Sequence, residues 1–531
     1  MNDLIEPEFD KWVLPAMLEE QARLRPDDVW ISTTDGDEWT FSKGWEEVQK
    51  VASWFEKNGV GPGDKVAIML PNGLDFVRAW LGLGSIGGVA VLLNTELRGT
   101  FLAHQVQNSG ACLAIVDGEL ASELIGASGV ASALKAIAVT DCDVLVPERL
   151  RKVPWSGLAG WQGAEPQQRK LPGPRELFTV IYTSGTTGPA KGVLMPHAHC
   201  ALWGIGARRA LKLEPSDCYY ITLPLFHANG LLMQLGATLL VGMRAVLRRR
   251  FSASSWLNDI RTYRATVTNV IGVLSMYILS QTPSHTDKEN SLRLLFAAPM
   301  LPEHEKQFRE RFGVRDVLSG YGMSEVNMPV WGRIGVSSPG AAGWPMSQWF
   351  EVIIADSDTD LEVPRGTIGE ILVRPKVPFA FMQGYLGMPE KTAEATRNLW
   401  FHSGDAGYMD DSGLIYFKDR IKDCIRRRGE NISATEVEFA MLSLDGIAEC
   451  AAFAVPSSIA GGEDELMLAI VKKPGLDLQP ETVFNHADIS LPRFAQLRFL
   501  RFVDDLPKTA SGKVQRALLK SDGLGSAIER V

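Results

Sequence analysis

The sequence has few cysteines for its length, and their spacing shows no pairs. Six cysteines are spread over 531 residues, at positions 112, 142, 200, 218, 424 and 450, and none forms a C-x-x-C pair. This pattern disfavours a disulfide framework and a cysteine-based zinc site. Reduced thiols are expected instead, which favours a cytoplasmic protein.

Long apolar runs are also missing. An uncharged apolar stretch extends roughly over 230–243, includes Gln234 and ends before Arg244. A membrane-spanning helix needs about 20 predominantly apolar residues, so this stretch is too short. The first seven residues lack the basic region and apolar core of a secretory signal peptide. We therefore expect no integral membrane segment and a cytoplasmic location.

An excess of positive charge is absent too. The chain has 54 Lys and Arg against 63 Asp and Glu, a net charge of −9. Such a chain is not suited to coating nucleic acid or an anionic membrane. Hydrophobic residues make up 45% and charged residues 22%, which is typical of globular domains. The length exceeds one ordinary core, so several domains are expected.

Short apolar runs alternate with longer helical segments. The run 65–70 ends at Pro71-Asn72-Gly73 and predicts a buried strand, and residues 75–84 follow with helical spacing. Similar runs lie at 89–93, 111–116, 178–182, 219–223 and 266–271. This alternation predicts parallel α/β layers. The GxGxxG match at 82–87 lies inside a helical segment, so we interpret it as helix packing and not as a dinucleotide site.

The pattern changes after about Asp405. A strand-like run at 414–417 and a charged turn at 418–423 precede a capping box at 433–436 and a helix predicted over 436–444. Strands are predicted near 451–455 and 467–471. We therefore expect an α/β protein with a large body to about Asp419. This body comprises two layered α/β subdomains and a β-rich subdomain, and a small α+β domain follows it.

A run of hydroxyl residues and glycines follows the strand predicted at 178–182. Residues 183–192 read TSGTTGPAKG. Glycines let backbone amides turn toward an anion, hydroxyls add donors, and Lys191 adds a cation. The alternative, a flexible surface turn, rarely combines these features. The spacing differs from the common Gly-x4-Gly-Lys-Ser/Thr loop, but the run predicts a phosphate-binding loop.

Further motifs follow this run in order. They are LPLFH at 223–227, AAP at 297–299, GYGMSE at 320–325, WFHSGD at 400–405, DRIKD at 419–423, RGENI at 428–432 and LPKTASGK at 506–513. With this set, the chain resembles the adenylate-forming superfamily of acyl-CoA synthetases, luciferases and peptide-synthetase adenylation domains over nearly its whole length. Segments 265–270 and 313–325 most resemble the crotonobetaine/carnitine–CoA ligase branch.

The resemblance implies an ATP site. Glu325 and Thr183 would bind Mg²⁺, Tyr321 would pack on adenine, and Asp405 and Arg420 would hydrogen-bond the ribose. Residues implied to contact the nucleotide are Thr183, Ser184, Gly185, Thr186, Thr187, Gly188, Lys191, Ala297, Ala298, Pro299, Gly320, Tyr321, Gly322, Met323, Ser324, Asp405, Phe417, Arg420 and Lys513. Lys513 would bridge the carboxylate and the α-phosphate, and the implied catalytic set is Lys513, Glu325, Thr183 and His227.

The resemblance also implies a CoA site and a mobile small domain. The domains would be 1–419, a hinge at 420–424 that turns about Lys422, and 425–531. Arg427, Arg428, Gly429 and Glu430 would contact CoA, although a solvated basic patch is an alternative for the arginines. The implied acid pocket consists of His227, Gly272, Val273, Ala297, Gly320 and Met323. Core packing is the competing interpretation for these pocket residues.

The function implied is an ATP-dependent carboxylate–CoA ligase that forms an acyl-adenylate and then a thioester. Its partners would be ATP, Mg²⁺, CoA and a fatty, carnitine-like, aryl-alkanoic or steroid side-chain acid, and a homodimer stays open. One alternative is an adenylation enzyme that loads a carrier protein. Amino-acid adenylation domains usually have aspartate at the position of His227, which disfavours that version. A second alternative, a catalytically silent nucleotide-binding homologue, is disfavoured by the joint presence of Glu325, Asp405, Arg420 and Lys513. A luciferase-like oxygenase stays open, because it shares the same set of motifs.

Overall fold

The structure is a computed structural model that describes eleven stretches of the chain. They are 6–140, 144–155, 169–183, 190–298, 300–420, 425–427, 430–432, 434–456, 465–491, 495–508 and 514–530. Within them, only the backbone is described for 130, 272, 273, 420, 426, 427, 430, 431, 435 and 436.

The described residues between 14 and 318 provide all strands but one of two large sheets, together with the helices that cover them. The strands are β1 (Val29–Thr33), β2 (Glu38–Thr40), β3 (Lys65–Met69), β4 (Val89–Leu92), β5 (Leu113–Val116), β6 (Ala136–Val139), β7 (Arg151–Pro154), β8 (Leu177–Thr183), β9 (Lys191–Pro196), β10 (Cys218–Ile221), β11 (Arg244–Leu247), β12 (Val267–Val270), β13 (Leu294–Ala297) and β14 (Asp316–Leu318). The helices are α1 (Leu14–Leu24), α2 (Phe41–Lys57), α3 (Leu74–Ser85), α4 (Gly99–Ser109), α5 (Ala121–Ala127), α6 (His197–Leu211), α7 (Gly236–Val241), α8 (Ala253–Tyr263), α9 (Gly272–Leu279) and α10 (Pro302–Phe312). Short 3₁₀ turns lie at Phe9–Lys11, Gly118–Leu120 and Ser128–Val130, and a π-helix lies at Asn229–Leu235.

The rest of the described chain is richer in antiparallel strands. Its strands are β15 (Gly320–Met323), β16 (Asn327–Trp331), β17 (Trp344–Pro345), β18 (Phe350–Ala355), β19 (Gly369–Pro375), β20 (Gly384–Tyr385), β21 (Phe401–Met409), β22 (Ile415–Arg420), β23 (Ile425–Arg427), β24 (Glu430–Ile432), β25 (Ile447–Val455), β26 (Glu465–Lys472), β27 (Phe499–Phe502) and β28 (Ile528–Glu529). Its helices are α11 (Pro389–Ala395), α12 (Ala434–Met441), α13 (Pro480–Ser490) and α14 (Arg516–Ser521), with a 3₁₀ turn at Arg397–Leu399.

The two large sheets confirm the predicted α/β layers. One sheet has the strand order β20-β9-β8-β4-β3-β5-β6-β7, and the other has β14-β13-β12-β10-β11-β1-β2. Most neighbouring strands are parallel, and antiparallel pairs occur only toward the β20-β9-β8 and β1-β2 edges. Their central strands are apolar and buried on both faces, as parallel strands covered by helices must be. A third sheet, β18-β19-β21-β22, is antiparallel and forms the β-rich part.

Helix α3 contains the glycines of the GxGxxG match. A Cβ atom on Gly84 would lie 2.3 Å from Cε2 of Phe178, and one on Gly82 would lie 3.0 Å from Val51. Glycine therefore allows α3 to pack closely on its neighbours. The interpretation as helix packing is confirmed.

Asn72 joins the two large sheets at one end. It follows β3 and is buried, and its amide Nδ2 donates to the carbonyls of Leu223, at 3.0 Å, and Arg248, at 3.2 Å. Its Oδ1 accepts the backbone N–H of Leu225 at 2.8 Å. These partners follow β10 and β11, so one side chain ties together the carboxyl ends of strands from both sheets.

Helix α6 begins with a histidine that belongs to the core. His197 is fully buried, and its ring stacks on Phe178 with centroids 4.3 Å apart and planes 6° apart. Burial lowers the pKa of His197 to about 3, and burial also lowers the pKa of the nearby His199 to about 4. Both rings are therefore neutral at ordinary pH.

The C-terminal strands and helices have a core of their own. Residues of β25, β26, α12 and α13 form a separate buried cluster, which includes Val437, Ile470 and Val483. The strands predicted near 451–455 and 467–471 are confirmed, whereas the helix predicted over 436–444 is shifted and spans 434–441. After Met441 the backbone continues in turns, in which the N–H of Ser443 donates to the carbonyl of Ala440 at 3.4 Å and that of Leu444 to Met441 at 3.1 Å.

No helix among the residues that the structure describes is both long and apolar enough to cross a membrane.

Candidate active site

The predicted phosphate loop connects β8 to β9. Thr183 ends β8 and pairs in register with Lys191, which begins β9. The Thr183 hydroxyl donates to the Lys191 carbonyl at 3.4 Å. The predicted loop residues Ser184, Gly185, Thr186, Thr187 and Gly188 lie outside the described part of the chain. What the structure places side by side is therefore the two ends of the predicted loop.

Glu325 and Lys191 are linked through a tyrosine. Glu325 is 7% exposed and lies in the turn that joins β15 to β16. The Tyr385 hydroxyl donates to Oε1 of Glu325 at 2.9 Å. Nζ of Lys191 lies 4.1 Å from the centroid of the Tyr385 ring. One buried side chain thus contacts both a predicted phosphate-binding residue and a predicted Mg²⁺ ligand.

The surroundings of Glu325 fit a magnesium ion that is held largely by phosphate. Among the described residues, no group of three or more His, Cys, Asp or Glu side chains could hold a metal ion. In nucleotide sites, Mg²⁺ commonly binds one or two protein groups, the phosphates and water. A single buried carboxylate with one neutral hydrogen-bond donor suits that pattern.

Tyr321 and Asp405 meet although they lie 84 residues apart in sequence. The Tyr321 hydroxyl donates to Oδ2 of Asp405 at 2.7 Å, and the Tyr321 ring stacks at 25° on Phe417, with centroids 6.1 Å apart. Asp405 is 3% exposed and pairs in register with Arg420 of β22. Four residues with a predicted role in nucleotide binding are thus grouped on β15, β21 and β22, with Arg420 placed by its backbone alone.

Asp405 lies on a bulge of strand β21. The two-residue step from Glu370 to Leu372 on β19 faces a four-residue step from Ala406 to His402 on β21. Two extra residues of β21 therefore stand outside the regular ladder. Such a bulge bends a strand and changes the direction in which its side chains point. Gly404 lies within the bulge with φ +68°, a left-handed conformation that glycine adopts without steric cost.

Side chains replace the ladder bonds that the bulge interrupts. Oε1 of Glu370 accepts the backbone N–H of Gly404 at 2.8 Å, and Oε2 lies 3.1 Å from Nδ1 of His402. The Ser403 hydroxyl donates to a β19 carbonyl at 2.6 Å and accepts the N–H of Asp405 at 3.0 Å. Buried polar groups need such partners. Together these bonds fix the backbone that presents Asp405.

Glycines in β15 are required by the strand pair that carries Tyr321. A Cβ atom on Gly322 would lie 2.3 Å from the carbonyl oxygen of Asn327, and one on Gly320 would lie 2.8 Å from Cζ of Phe296. Larger residues would therefore force β15 away from β16 and β13. This packing accounts for both glycines, and their predicted contacts with nucleotide or acid stay predictions.

The predicted acid pocket lies along one edge of the seven-stranded sheet. His227 comes after β10, Gly272 and Val273 begin α9 after β12, Ala297 ends β13, and Gly320 follows β14 by two residues. These four strands are neighbours in the order β14-β13-β12-β10. In open α/β sheets, ligands bind beyond the carboxyl ends of the strands. The predicted pocket residues share that position, although the side chains of 272 and 273 lie outside the description.

His227 lies just before an unusual helix. Its ring is half-buried and packs edge-on against Phe226, with centroids 4.6 Å apart. The π-helix Asn229–Leu235 follows directly. π-Helical turns are rare in proteins, but those that occur are often at functional sites. The position of this π-helix therefore supports a site near His227.

Three of the four remaining residues with a predicted role in the large body can be placed in the structure. Ala298 follows Ala297 and is half-buried, and Pro299 lies outside the described residues. Met323 ends β15 and is half-buried, and Ser324 stands beside Glu325 in the following turn.

Most predicted residues of the small domain cannot be placed. Lys422, Arg428, Gly429 and Lys513 lie outside the described stretches. Arg427 and Glu430 are placed by backbone only, paired across β23 and β24. Lys508 and Val514 form an isolated antiparallel bridge on either side of 509–513.

Two residues with contacts in this region were not predicted. Tyr385 lies in none of the sequence motifs that predicted the site. Only the fold brings it into contact with Glu325 and Lys191. Glu370 could have been suspected, because it opens the apolar run Ile371-Leu372-Val373 and a buried carboxylate needs partners.

Comparisons with known proteins identify the family. The chain matches the family model "AMP-binding enzyme" over residues 18–386 and the model "AMP-binding enzyme C-terminal domain" over 436–513. It is 31% identical over 487 residues to the crotonobetaine/carnitine–CoA ligase of Escherichia fergusonii, with 90% of this chain and 92% of that protein covered. It is 29% identical over 519 residues to long-chain fatty acid transport protein 1 of Homo sapiens, with 93% and 79% covered.

A solved structure supports the same conclusion. The o-succinylbenzoate CoA synthetase of Bacillus subtilis, in complex with an acyl-adenylate intermediate, superposes with a TM-score of 0.82 at 25% identity. The match covers 95% of this chain and 97% of that one. The predicted fold class and the predicted cofactors ATP, Mg²⁺ and CoA agree with this family. The chain belongs to the AMP-binding enzyme family and is an AMP-forming acyl-CoA synthetase.

Proposed function

We propose that this protein joins a small carboxylic acid to CoA in two steps at one site. In the first step, the carboxylate attacks the α-phosphorus of ATP, the bond to the leaving pyrophosphate breaks, and an acyl-adenylate forms. In the second step, the CoA thiol attacks the acyl carbon, the thiol proton is lost, and AMP leaves. The thioester retains the acyl group.

The contact between Tyr321 and Asp405 carries the proposal. It places an aromatic ring beside a buried carboxylate, 2.7 Å from hydroxyl to Oδ2. An adenine can stack on such a ring, and ribose hydroxyls can donate to such a carboxylate. Arg420, which pairs with Asp405 across β21 and β22, would add donors on the same side.

The phosphate end of ATP would lie toward Lys191 and Glu325. Repulsion between an anionic carboxylate and an anionic phosphate is the main obstacle to the first step. Lys191 and the glycine-rich loop would offset this repulsion at the phosphate oxygens. A Mg²⁺ ion held by Glu325 and Thr183 would supply further charge neutralisation there.

The small domain would contribute one residue to each step. Lys513 would approach the acid and the α-phosphate in the first step, and Gly429 would border the pantetheine arm in the second. Exchange of these residues at one site requires the domain 425–531 to turn about Lys422 relative to 1–419. Arg427, Arg428 and Glu430 would then meet the CoA phosphates and adenine.

The acid would enter near His227 and the start of α9. The relatives act on or are named for chemically different acids: carnitine and crotonobetaine, long-chain fatty acids, and o-succinylbenzoate. A test panel should therefore include a trimethylammonium acid, aliphatic acids of increasing length, aryl-alkanoic acids and a steroid side-chain acid.

Pyrophosphate release across this panel, measured with and without CoA, tests the proposal. We expect at least one acid to give acid-dependent pyrophosphate release and, with CoA added, a thioester with the mass of that acid joined to CoA. Pyrophosphate release without a thioester would favour delivery to a carrier protein instead. Binding of ATP without turnover of any acid would favour a silent homologue.

Lys513→Ala should slow pyrophosphate release by roughly 10²–10³-fold, as expected for loss of a charge-stabilising donor. Lys508→Ala is the matched control, because Lys508 lies at the base of the same segment and pairs with Glu449 at 2.5 Å. That control should release pyrophosphate within about twofold of wild type, as surface ion pairs contribute little. Equal rates for Lys513→Ala and wild type would exclude Lys513 from the first step.

A further inference from the structure

Tyr385 joins two parts of the site that are distant in sequence. Its hydroxyl donates to Oε1 of Glu325 at 2.9 Å, and its ring centroid lies 4.1 Å from Nζ of Lys191. Glu325 belongs to the β15–β16 turn and Lys191 to β9, so these residues come from different sheets. Tyr385 is 5% exposed, which makes both contacts strong in a poorly hydrated setting.

The backbone around Tyr385 is fixed on both sides. β20 pairs with β9 so that Tyr385 faces Val193, and the N–H of Leu386 donates to the carbonyl of Gly192 at 2.8 Å. The N–H of Tyr385 itself donates to the Thr392 hydroxyl at 2.9 Å. The ring is therefore held by the strand that carries Lys191.

A second backbone bond secures the Glu325 turn to the same segment. The N–H of Met382 donates to the carbonyl of Glu325 at 3.0 Å. The side-chain bond from Tyr385 to Glu325 and this main-chain bond act on the same residue. The distance between the turn and β9 is thus set by the segment 382–386.

The two contacts of Tyr385 have different chemistry. A phenol that donates to a carboxylate orients one oxygen and leaves the charge in place. A lysine over a ring face is attracted by the ring quadrupole, and this contact does not neutralise the ammonium charge. Neither contact neutralises its partner as a direct ion pair would. Each contact can therefore orient its partner without forming an ion pair with it.

We propose that Tyr385 is a positioning residue that sets Glu325 for the metal and Lys191 for the phosphates of bound ATP. The proposal rests on the proposed function, which assigns those ligands to Glu325 and Lys191. It adds that the Tyr385 side chain positions both groups at once: its hydroxyl orients Glu325, and its ring independently holds Lys191.

Two substitutions separate these contacts. Tyr385→Phe removes the bond to Glu325 and keeps the ring over Lys191, whereas Tyr385→Leu removes both contacts. We expect Tyr385→Phe to raise the Mn²⁺ concentration for half-saturation of the ATP-bound enzyme by about tenfold, as for loss of a hydrogen bond to a charged group. Its affinity for ATP in EDTA should stay within about twofold of wild type.

Tyr385→Leu should show the same loss in Mn²⁺ affinity and, in addition, weaker metal-free binding of ATP. Loss of a buried cation–π contact predicts a roughly three- to tenfold weaker affinity in EDTA. Mn²⁺ is counted by electron paramagnetic resonance, and labelled ATP by equilibrium dialysis. Neither measurement depends on turnover.

Tyr220→Phe is the matched control. Tyr220 is also buried, and its hydroxyl donates to a carboxylate, Oδ2 of Asp259, at 2.6 Å. It lies on β10, away from Glu325 and Lys191, so this variant should bind Mn²⁺ and ATP like wild type. Melting curves of all three variants check that each is folded.

Two outcomes would overturn the proposal. Unchanged Mn²⁺ affinity in folded Tyr385→Phe would overturn the role of the hydroxyl, and equal ATP affinity of the Phe and Leu variants in EDTA would overturn the role of the ring. Failure of the proposed function looks different, because wild type itself would then bind no ATP or activate no acid.

Discussion

At the scale of single residues, Tyr321 and Asp405 are joined by one hydrogen bond. The Tyr321 hydroxyl donates to Oδ2 of the Asp405 carboxylate at 2.7 Å. A carboxylate can accept more than one hydrogen bond, and the predicted role of Asp405 is to accept ribose hydroxyls. The hydrogen bond from Tyr321 limits the orientation of both side chains.

Tyr321→Phe should therefore weaken ATP binding and preserve stacking. Loss of one hydrogen bond to a charged group predicts an increase in KM for ATP of roughly 10-fold, with a smaller change in kcat. The measurement is pyrophosphate release at varied ATP and saturating acid.

Asp405→Asn completes a double-mutant cycle for this contact. Because the two residues are in direct contact, the combined variant should lose less than the sum of the single losses. Strict additivity would show that the 2.7 Å bond does not contribute to nucleotide binding.

At the scale of elements, the bulge of β21 explains the use of two small residues, Ser403 and Gly404, directly before Asp405. Gly404 takes a left-handed φ of +68°, and Ser403 bonds both the neighbouring strand and the N–H of Asp405. Glu370 reaches across from β19 to accept from Gly404. One departure of the strand from regular geometry thus lies where Asp405 contacts Tyr321.

Removal of Glu370 tests the role of the bulge. Glu370→Ala leaves the N–H of Gly404 and the ring of His402 without this partner, so we expect a loss of about 1–3 kcal/mol in the free energy of unfolding. KM for ATP should rise and KM for the acid should stay unchanged. Glu370→Gln keeps an acceptor of the same shape and should restore KM for ATP.

Glu351→Ala provides the control for that series. Glu351 lies on the adjacent strand β18 and makes a half-exposed ion pair with Arg374 at 2.7 Å. Its loss should leave KM for ATP unchanged, since exposed pairs contribute little. Equal effects of Glu351→Ala and Glu370→Ala would mean that the sheet as a whole, and not the bulge, affects the nucleotide.

The sequence predicted the elements better than their irregularities. The runs at 65–70, 178–182 and 266–271 become strands because they are rich in apolar and β-branched residues, which suit strands buried on both faces. The bulge at 403–405 could not be predicted, because it depends on a carboxylate from another strand. Tyr385 was missed for the same reason: its importance comes from two contacts that only the folded chain creates.

At the scale of the whole molecule, the described chain has distinct cores. The large sheets share one extended cluster, whereas β25, β26 and their helices form another. His304 of α10 packs edge-on against Phe439 of α12, with centroids 5.9 Å apart. Separate cores suit the predicted domains 1–419 and 425–531, and a turn about Lys422 would break such a contact. That hinge stays a prediction.

Acid should destabilise the molecule partly through His197. Its pKa is about 3 in the fold and 6.5 without burial. Above pH 6.5 both folded and unfolded chains hold it neutral; below that pH only the unfolded chain takes up the proton. The free energy of unfolding should therefore fall as pH decreases from 6.5 toward 3, with a contribution of roughly 2–3 kcal/mol by pH 4.5.

His197→Phe should remove this contribution. Phenylalanine keeps the stack on Phe178, and the buried ring nitrogens of His197 have no hydrogen-bond partner among the described residues. Urea unfolding at pH 7.5 and pH 4.5 should show a smaller difference for the variant than for wild type. Parallel losses in both proteins would assign the acid sensitivity to other groups.

Asn72 has a mechanical consequence for the large body. Its amide links the loops that follow β10 and β11 to the end of β3, so shear between the two sheets would require three hydrogen bonds to break together. The edge that carries the predicted acid pocket is in this way anchored to the sheet that carries Thr183 and Lys191. Under the predicted turn of the small domain, the large body would therefore behave as one rigid unit, with the acid pocket and the phosphate loop at a constant separation.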